Sequence, residues 1–239
     1  MNDEMTPVCL DDTFQFSCNK EVPCFNECCR DLNQFLTPYD ILRLKTALGM
    51  TSTQFLKEYT LNHMGPESGL PVVTLKPADH KELICPFVTA DGCRVYKDRP
   101  GSCRTYPLAR LISRSRETGQ ITQHWALIKE AHCQGFRQNK TMVIRDWIQT
   151  QELLIYNEIN DLLMEIISLK NQRKPGPLDI KSRHLFHMAC YDLDNFKSHI
   201  FEKGLLDGLD LDADQLESLH DDTTLLRFGL EWLKDRLFS

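Results

Sequence analysis

The stretch CNKEVPCFNECC, Cys18 to Cys29, places four cysteines within twelve residues, two of them adjacent. No apolar core can take them all. Cys24, Cys28 and Cys29 sit among Asn26, Glu27, Arg30 and Asp31, and neighbouring side chains cannot both point into one interior. A disulfide between Cys28 and Cys29 would need a strained geometry. The N-terminal MNDEMTPVCLDD is acidic and lacks the basic start and apolar run of a secretory signal, so a reducing cytoplasm is the expected location. Thiols there stay unpaired unless metal or catalysis claims them. Ten cysteines in 239 residues are also too sparse for a disulfide scaffold, and a chain of this length can bury a core without one.

Their spacing points to ligation. Cys18, Cys24, Cys28 and Cys29 form C-x5-C-x3-C-C, and Cys85, Cys93 and Cys103 form C-x7-C-x9-C, with Cys133 further on. Thiolates suit zinc and iron–sulfur clusters, both soft enough to prefer sulfur to oxygen. These eight are the expected metal ligands, enough for two four-coordinate sites or for one cluster with residues to spare. Cys9 and Cys190 lie outside the pattern and are expected to be small buried hydrophobes. Clustered thiolates need nearby donors. Arg30, Arg94 and Arg104, each directly after a cysteine, are candidates to supply them, Arg104 foremost. His80 and His132 are expected at the surface, and Tyr96 and Tyr106 in the core.

Around the cysteines the chain reads as α+β. Phe14 and Phe16 alternate just before the cluster. LTPYDILRLKTALGM predicts a helix capped by Thr37, with Pro38 in its first turn, a stripe of Ile41, Leu44 and Leu48, and a stop at Gly49. TSTQFLKEYTLNHMG predicts a second, capped at Thr51 or Ser52 and running to Gly65. PVVTLK, LICPFV and CRVY predict short strands, with a hairpin turn at Asp91-Gly92. LARLISRSRETGQITQHWALIK predicts two strands joined near Thr118-Gly119, and apolar periodicity predicts one long helix over 141–170. Pro175-Gly176-Pro177 reads as a linker. The expected organisation is a small cysteine-cluster domain of short antiparallel strands and helices over 1–172, then a helical C-terminal segment over 173–239.

FSCNKEVPCFNECCRDLNQFLTPYDILRLKTALGM, GLPVVTLK and CPFVTADGCRVYKDRPGSCRTYPL together resemble the YkgJ-type cysteine-cluster (CxxCxxCC) family, a zinc- or iron-chelating domain that includes flagellin lysine-N-methylase-like proteins. The resemblance covers about residues 14–136. It places the family's cysteines on Cys18, Cys24, Cys28, Cys29, Cys85, Cys93 and Cys103, with Cys133 an eighth. Arg99, Pro100, Arg104, Tyr106 and Pro107 fall on its R-P-x-x-C-R-x-Y-P motif. The spacings of five and three replace the family's pattern of two and two, which marks a subgroup with a longer first loop.

The resemblance implies metal binding, and the leading expectation is an iron–sulfur cluster, with zinc as the alternative. Its role would be structural, redox or metal-handling. A protein-lysine N-methylase-like enzyme is the rival reading, although the chain has no glycine-rich turn of the dinucleotide or methyltransferase kind. A metal-stapled interaction module is the third. A protein partner or protein substrate fits these readings. The formal charge of −6 argues against nucleic acid, and no apolar run approaches the length of a membrane span.

Overall fold

A computed structural model of the chain describes residues 4–30, 32–66, 68–115, 118, 120–206 and 209–238. The fold is α+β, with short antiparallel sheets and a helical C-terminal region. Its internal contacts define two compact units that alternate along the chain. The first takes residues 1–31 and 87–155, and the second residues 32–86 and 156–239. The linker expected at Pro175-Gly176-Pro177 falls inside the second unit, between the helices Leu153–Arg173 and Ile180–Cys190. Among the described residues no helix is long and apolar enough to cross a membrane.

In the first unit, strand Ile121–Lys129 pairs antiparallel with Glu4–Val8 on one side and Leu108–Arg114 on the other. The two strands expected from LARLISRSRETGQITQHWALIK are therefore present; Gly119, expected at their turn, lies outside the described residues. Thr13–Gln15 pairs with Thr141–Val143, setting Phe14 opposite Met142. Period-two alternation buries Phe14 and Phe16 in a core with Leu108, Trp125, Leu127, Ile144, Ile148 and Leu153. Tyr106 and Cys133 pack against the same core. The Asp91-Gly92 hairpin forms between Val88–Thr89 and Gly92–Cys93, and Gly92 takes φ 111°, which only glycine adopts readily. LICPFV and CRVY make no strands longer than these two-residue pieces, and Tyr96–Asp98 is a 3-10 turn.

The long helix expected over 141–170 is not continuous. Thr141–Val143 is a strand, Ile144–Thr150 a short helix, and Leu153–Arg173 a separate one. The break lies at Gln151-Glu152, where Glu152 takes the left-handed φ of 53°. Two arginines hold it. Arg104, only 3% exposed, donates to the Gln151 carbonyl at 2.8 Å and meets the Glu152 carboxylate at 3.5 Å, while Arg99 donates to Gln151 Oε1.

In the second unit, the helix Pro38–Ala47 starts where its caps predict. Thr37 and Asp40 form a reciprocal capping box, and Gly49 follows the last turn at φ 63°. The next helix, Ser52–Tyr59, is boxed by Thr51 and Gln54 but stops six residues before Gly65. Thr60–Met64 is instead a strand, because it pairs residue for residue with Pro71–Leu75, whose other edge takes Phe35–Leu36. Lys45, which interrupts the apolar stripe, is buried between Asp222 at 2.7 Å and Asp194 at 3.1 Å. Those carboxylates belong to the helices Asp222–Phe238 and Leu193–Phe201, so one ammonium ties three helices.

Candidate metal centre

The cysteine-rich loop is a chain of i→i+3 turns. Val22 N–H donates to Asn19 O, Phe25 N–H to Val22 O, Glu27 N–H to Cys24 O and Cys29 N–H to Asn26 O, all at 2.9–3.1 Å. Asn26 takes φ 70°, which asparagine tolerates, and its side chain donates to Thr89 O at 2.9 Å. Val22, 2% exposed, pins the loop to the interior. The Lys20–Asp91 ion pair at 2.7 Å is solvent-exposed and contributes little.

A second segment closes on this loop. Phe16 N–H donates to Lys140 O and Ser17 N–H to Gly135 O, so the strand entering the loop is stitched to the chain after Cys133. Gln134 N–H then donates to Cys24 Sγ at 3.1 Å, and Gly135 N–H faces the Cys133 sulfur. The result is that Cys18 has Cys24, Cys28 and Cys133 as neighbours, and Cys24 and Cys133 lie near each other. Cys18 is exposed as a residue, yet partial desolvation of its thiol pushes it up to about 11, and the proximity of Cys28, Cys24 and Cys133 adds to it. Burial also raises Cys133, with Cys24 adding to the rise, against the pull of the Tyr106 hydroxyl and the Gly135 N–H. Cys28 moves the other way, to about 7, chiefly because the Cys29 side chain hydrogen-bonds it.

Cys93 and Cys103 lie toward two guanidiniums. Burial raises Cys93, opposed by the Val95 N–H and by Arg99 and Arg94, with Cys28 again near it. Arg99 interacts with both Cys93 and Cys103, stacks on the Tyr96 ring at 3.8 Å and donates to Tyr96 O at 2.5 Å. Arg104, the foremost expectation among the three arginines, donates to the Lys97 and Gln151 carbonyls and meets Glu152. Arg30 is exposed beside Glu27 at 3.9 Å, and Arg94 lies over the Phe87 ring at 5.3 Å. Cys85 belongs to the second unit.

Other expectations divide. Cys190 is buried as expected. Cys9 is not: it is exposed in a turn, its N–H donating to Asp12 at 2.7 Å, so packing does not account for it. Tyr96 is 59% exposed rather than in the core, because its face serves Arg99. His132 is at the surface within 3.8 Å of Glu130. Three features escaped the sequence reading: the Gln134 and Gly135 N–H groups, Arg99 beside the thiols, and Tyr106 beside Cys133. A glycine two residues after Cys133 was the available signal for the first, and the R-P-x-x-C-R-x-Y-P motif for the others.

Among the described residues no group of three or more His, Cys, Asp or Glu side chains is set at ion-holding distances. The donor chemistry nevertheless fits a soft metal. The converging groups are thiols, backbone N–H groups are aimed at their sulfurs, and the Tyr106 hydroxyl is buried among them without a hydrogen bond of ordinary geometry. Thiols gathered from separate chain segments on a small α+β scaffold define a cysteine-cluster domain. Residues 17–134 match the CxxCxxCC family, described as a "putative zinc- or iron-chelating domain", and this stretch belongs to that family. No curated protein and no solved structure matches the chain.

Proposed function

We propose that the first unit binds a metal centre through the thiolates of Cys18, Cys24, Cys28 and Cys133, an iron–sulfur cluster in preference to zinc. The observation that carries the reading is the approach of Cys133 to the loop cysteines, with Gln134 N–H already donating to Cys24 Sγ at 3.1 Å. Cys29, bonded to Cys28, and Cys93 and Cys103, beside Arg99, extend the thiol set beyond the four that one zinc ion uses. The adjacent Cys28-Cys29 pair, with N–H donors at nearby sulfurs, fits a cluster. Bound there, an iron–sulfur cluster supplies one-electron chemistry, whereas zinc supplies a tetrahedral brace.

The chain's own residues do the rest. The four thiols release their protons on ligation, and the Gln134 and Gly135 N–H groups disperse the negative charge that results. Ligation closes the chain from Cys24 to Cys133, reinforcing the Phe16–Lys140 and Ser17–Gly135 hydrogen bonds. The test is anaerobic purification with elemental analysis for iron, sulfide and zinc and a visible spectrum. Iron and sulfide with broad visible absorption support the cluster; colourless protein carrying zinc replaces it with the zinc reading. Protein without metal, or Cys24→Ala with unchanged metal content, refutes the ligand set.

A further inference from the structure

In the first unit, strand Ile121–Lys129 outruns one of its two neighbours. Glu4–Val8 pairs only with Trp125–Lys129, so Leu108–Arg114 is the one strand beside Ile121–His124 among the described residues. Burial follows that step. Trp125, Ala126 and Leu127 are all buried, whereas Ile121, Thr122, Gln123 and His124 are all exposed. A strand with one face on a core alternates; four exposed residues in a row put both faces of this ribbon in solvent. Two apolar side chains stand there with them, Leu111 at 48% exposed and Ile121 at 43%.

Leu108–Arg114 is also the last strand of its sheet. Ile128 N–H donates to Pro107 O at 2.8 Å and Ser115 N–H to Gln120 O at 2.9 Å. Antiparallel ladders alternate bonded and non-bonded pairs. Between those two fixed points the backbone groups of residues 109, 111 and 113 therefore turn inward, and those of 110, 112 and 114 turn away. Among the described residues the Ile112 backbone meets no partner on that outer side. Edge strands are commonly shortened, bulged or given proline; this one runs seven residues in unbroken register, without proline. Its charge has one sign. The two strands hold Arg110, Arg114 and Lys129 and no aspartate or glutamate, in a chain of formal charge −6. Lys129 lies opposite Glu4 at the covered end. Arg110 and Arg114 thus flank Ile112 along the open edge, at positions about 13 Å apart by the rise of a strand.

We propose that this edge takes up an extended acidic peptide as an added antiparallel strand. The peptide backbone pairs with Ile112, an apolar side chain lies opposite Ile112, and carboxylates two residues to either side lie opposite Arg110 and Arg114. The recognised pattern is acidic-x-apolar-x-acidic. Charge complementarity selects this occupant over a second copy of the same strand, which would set Arg110 against the other copy's Arg114, like charges directly opposed. Gln123 braces the site, its Oε1 accepting from Arg110 Nε at 3.1 Å. The edge is independent of the metal centre, and its reading stands or falls separately.

The test is fluorescence anisotropy of a labelled TETVTETV peptide titrated with the full-length protein. Saturable binding that weakens with added salt is expected. The lysine counterpart TKTVTKTV, and TETVTETV N-methylated at both valines, are expected not to bind. In the protein, Ile112→Pro removes the outward N–H while leaving the inward ladder intact, and binding about tenfold weaker is expected. Arg110→Gln is expected to weaken it about fivefold. Near-ultraviolet circular dichroism checks the fold of each variant. Should Ile112→Pro not fold, Ile112→Glu keeps the backbone donor and sets a like charge before the peptide; tenfold weaker binding is again expected, and unchanged binding overturns the proposal. No binding of TETVTETV overturns it too, leaving the arginines as guards against strand association. Equal binding of the N-methylated peptide reduces the contact to charge alone and refutes the added strand. A twelve-residue oligothymidylate that binds as tightly as the peptide, and equally well to Ile112→Pro, assigns the edge to nucleic acid instead.

Discussion

Gly135 is where the thiol cluster and the aromatic core compete for the same space, and Gly135→Ala measures how tightly they are joined. A Cβ built there would meet Phe16 Cε2 at 2.5 Å and two further ring carbons at 3.0 and 3.1 Å. Phe16 is 3% exposed and boxed by Phe136, Tyr106 and Trp147, so the ring has nowhere to retreat. Overpacking of this kind costs about 1–3 kcal/mol. Gly135 opens a 3-10 turn without a left-handed φ, so alanine's restriction of the unfolded chain returns about 0.4–1 kcal/mol. The net expectation is a loss of about 1–2 kcal/mol. Removing the obstacle reverses the sign: in a Phe16→Leu background, itself destabilising, Gly135→Ala becomes neutral or slightly stabilising. The assay is urea unfolding followed by tryptophan fluorescence in a Trp232→Phe background. Trp125 and Trp147, both at the first unit's core, then report that unit alone. Equal destabilisation with and without the Phe16 ring would refute the steric argument, because the coupling in the cycle would vanish.

In the second unit, Lys45→Met removes the shared cation from two carboxylates, each about one-third exposed, leaving Asp222 with Lys197 at 3.0 Å and Asp194 with the Ser52 N–H at 2.6 Å. The expected loss is about 1–3 kcal/mol rather than the larger cost at a fully buried pair, read as a fall in the melting temperature. Burial raises Asp222 and Asp194, but ion pairs and hydrogen bonds outweigh it and leave both below ordinary carboxylates. Their stabilisation is therefore complete above the ordinary carboxylate range and lost as the pH falls through their depressed values; acid titration of the melting temperature should be flatter in Lys45→Met. Arg104→Lys should not preserve the Gln151-Glu152 break, since an ammonium cannot fork between the Lys97 and Gln151 carbonyls; a stability loss close to that of Arg104→Met is expected in thermal unfolding. Cys190→Ser should cost about 1–3 kcal/mol by burying a hydroxyl, and neither it nor Cys9→Ser should change metal content by elemental analysis.

What could be read from the sequence was what neighbouring residues decide. The Thr37–Asp40 box, Pro38 and Gly49 fix the helix Pro38–Ala47 from within fifteen residues, and Asp91-Gly92 fixes its hairpin from within six. The boundaries that differed are decided at a distance. Tyr59 ends a helix because Thr60–Met64 finds Pro71–Leu75 as a partner. The long apolar repeat after Thr141 breaks at Glu152, without glycine or proline, because Arg99 and Arg104 reach Gln151 from some fifty residues upstream. The same holds at the thiols. The spacing of Cys18, Cys24, Cys28 and Cys29 marks out the loop, but which distant cysteine approaches it depends on Ser17 and Phe16 pairing with Gly135 and Lys140.

The alternation of the two units along the chain sets a timetable for synthesis. Residues 1–31 leave the ribosome first, yet the first unit lacks its own second half until residues 87–155 follow, with a large piece of the second unit made in between. Cys133 emerges 105 residues after Cys28 (133 − 28), which at about 5–20 residues per second is about 5–20 s. Throughout that interval the loop thiols lack Cys133 and the Gln134 N–H that meets Cys24. The nascent chain is open to oxidants and stray metals before the fold can choose between them, and Leu32–Pro86 waits longer still for the helices that bury Lys45.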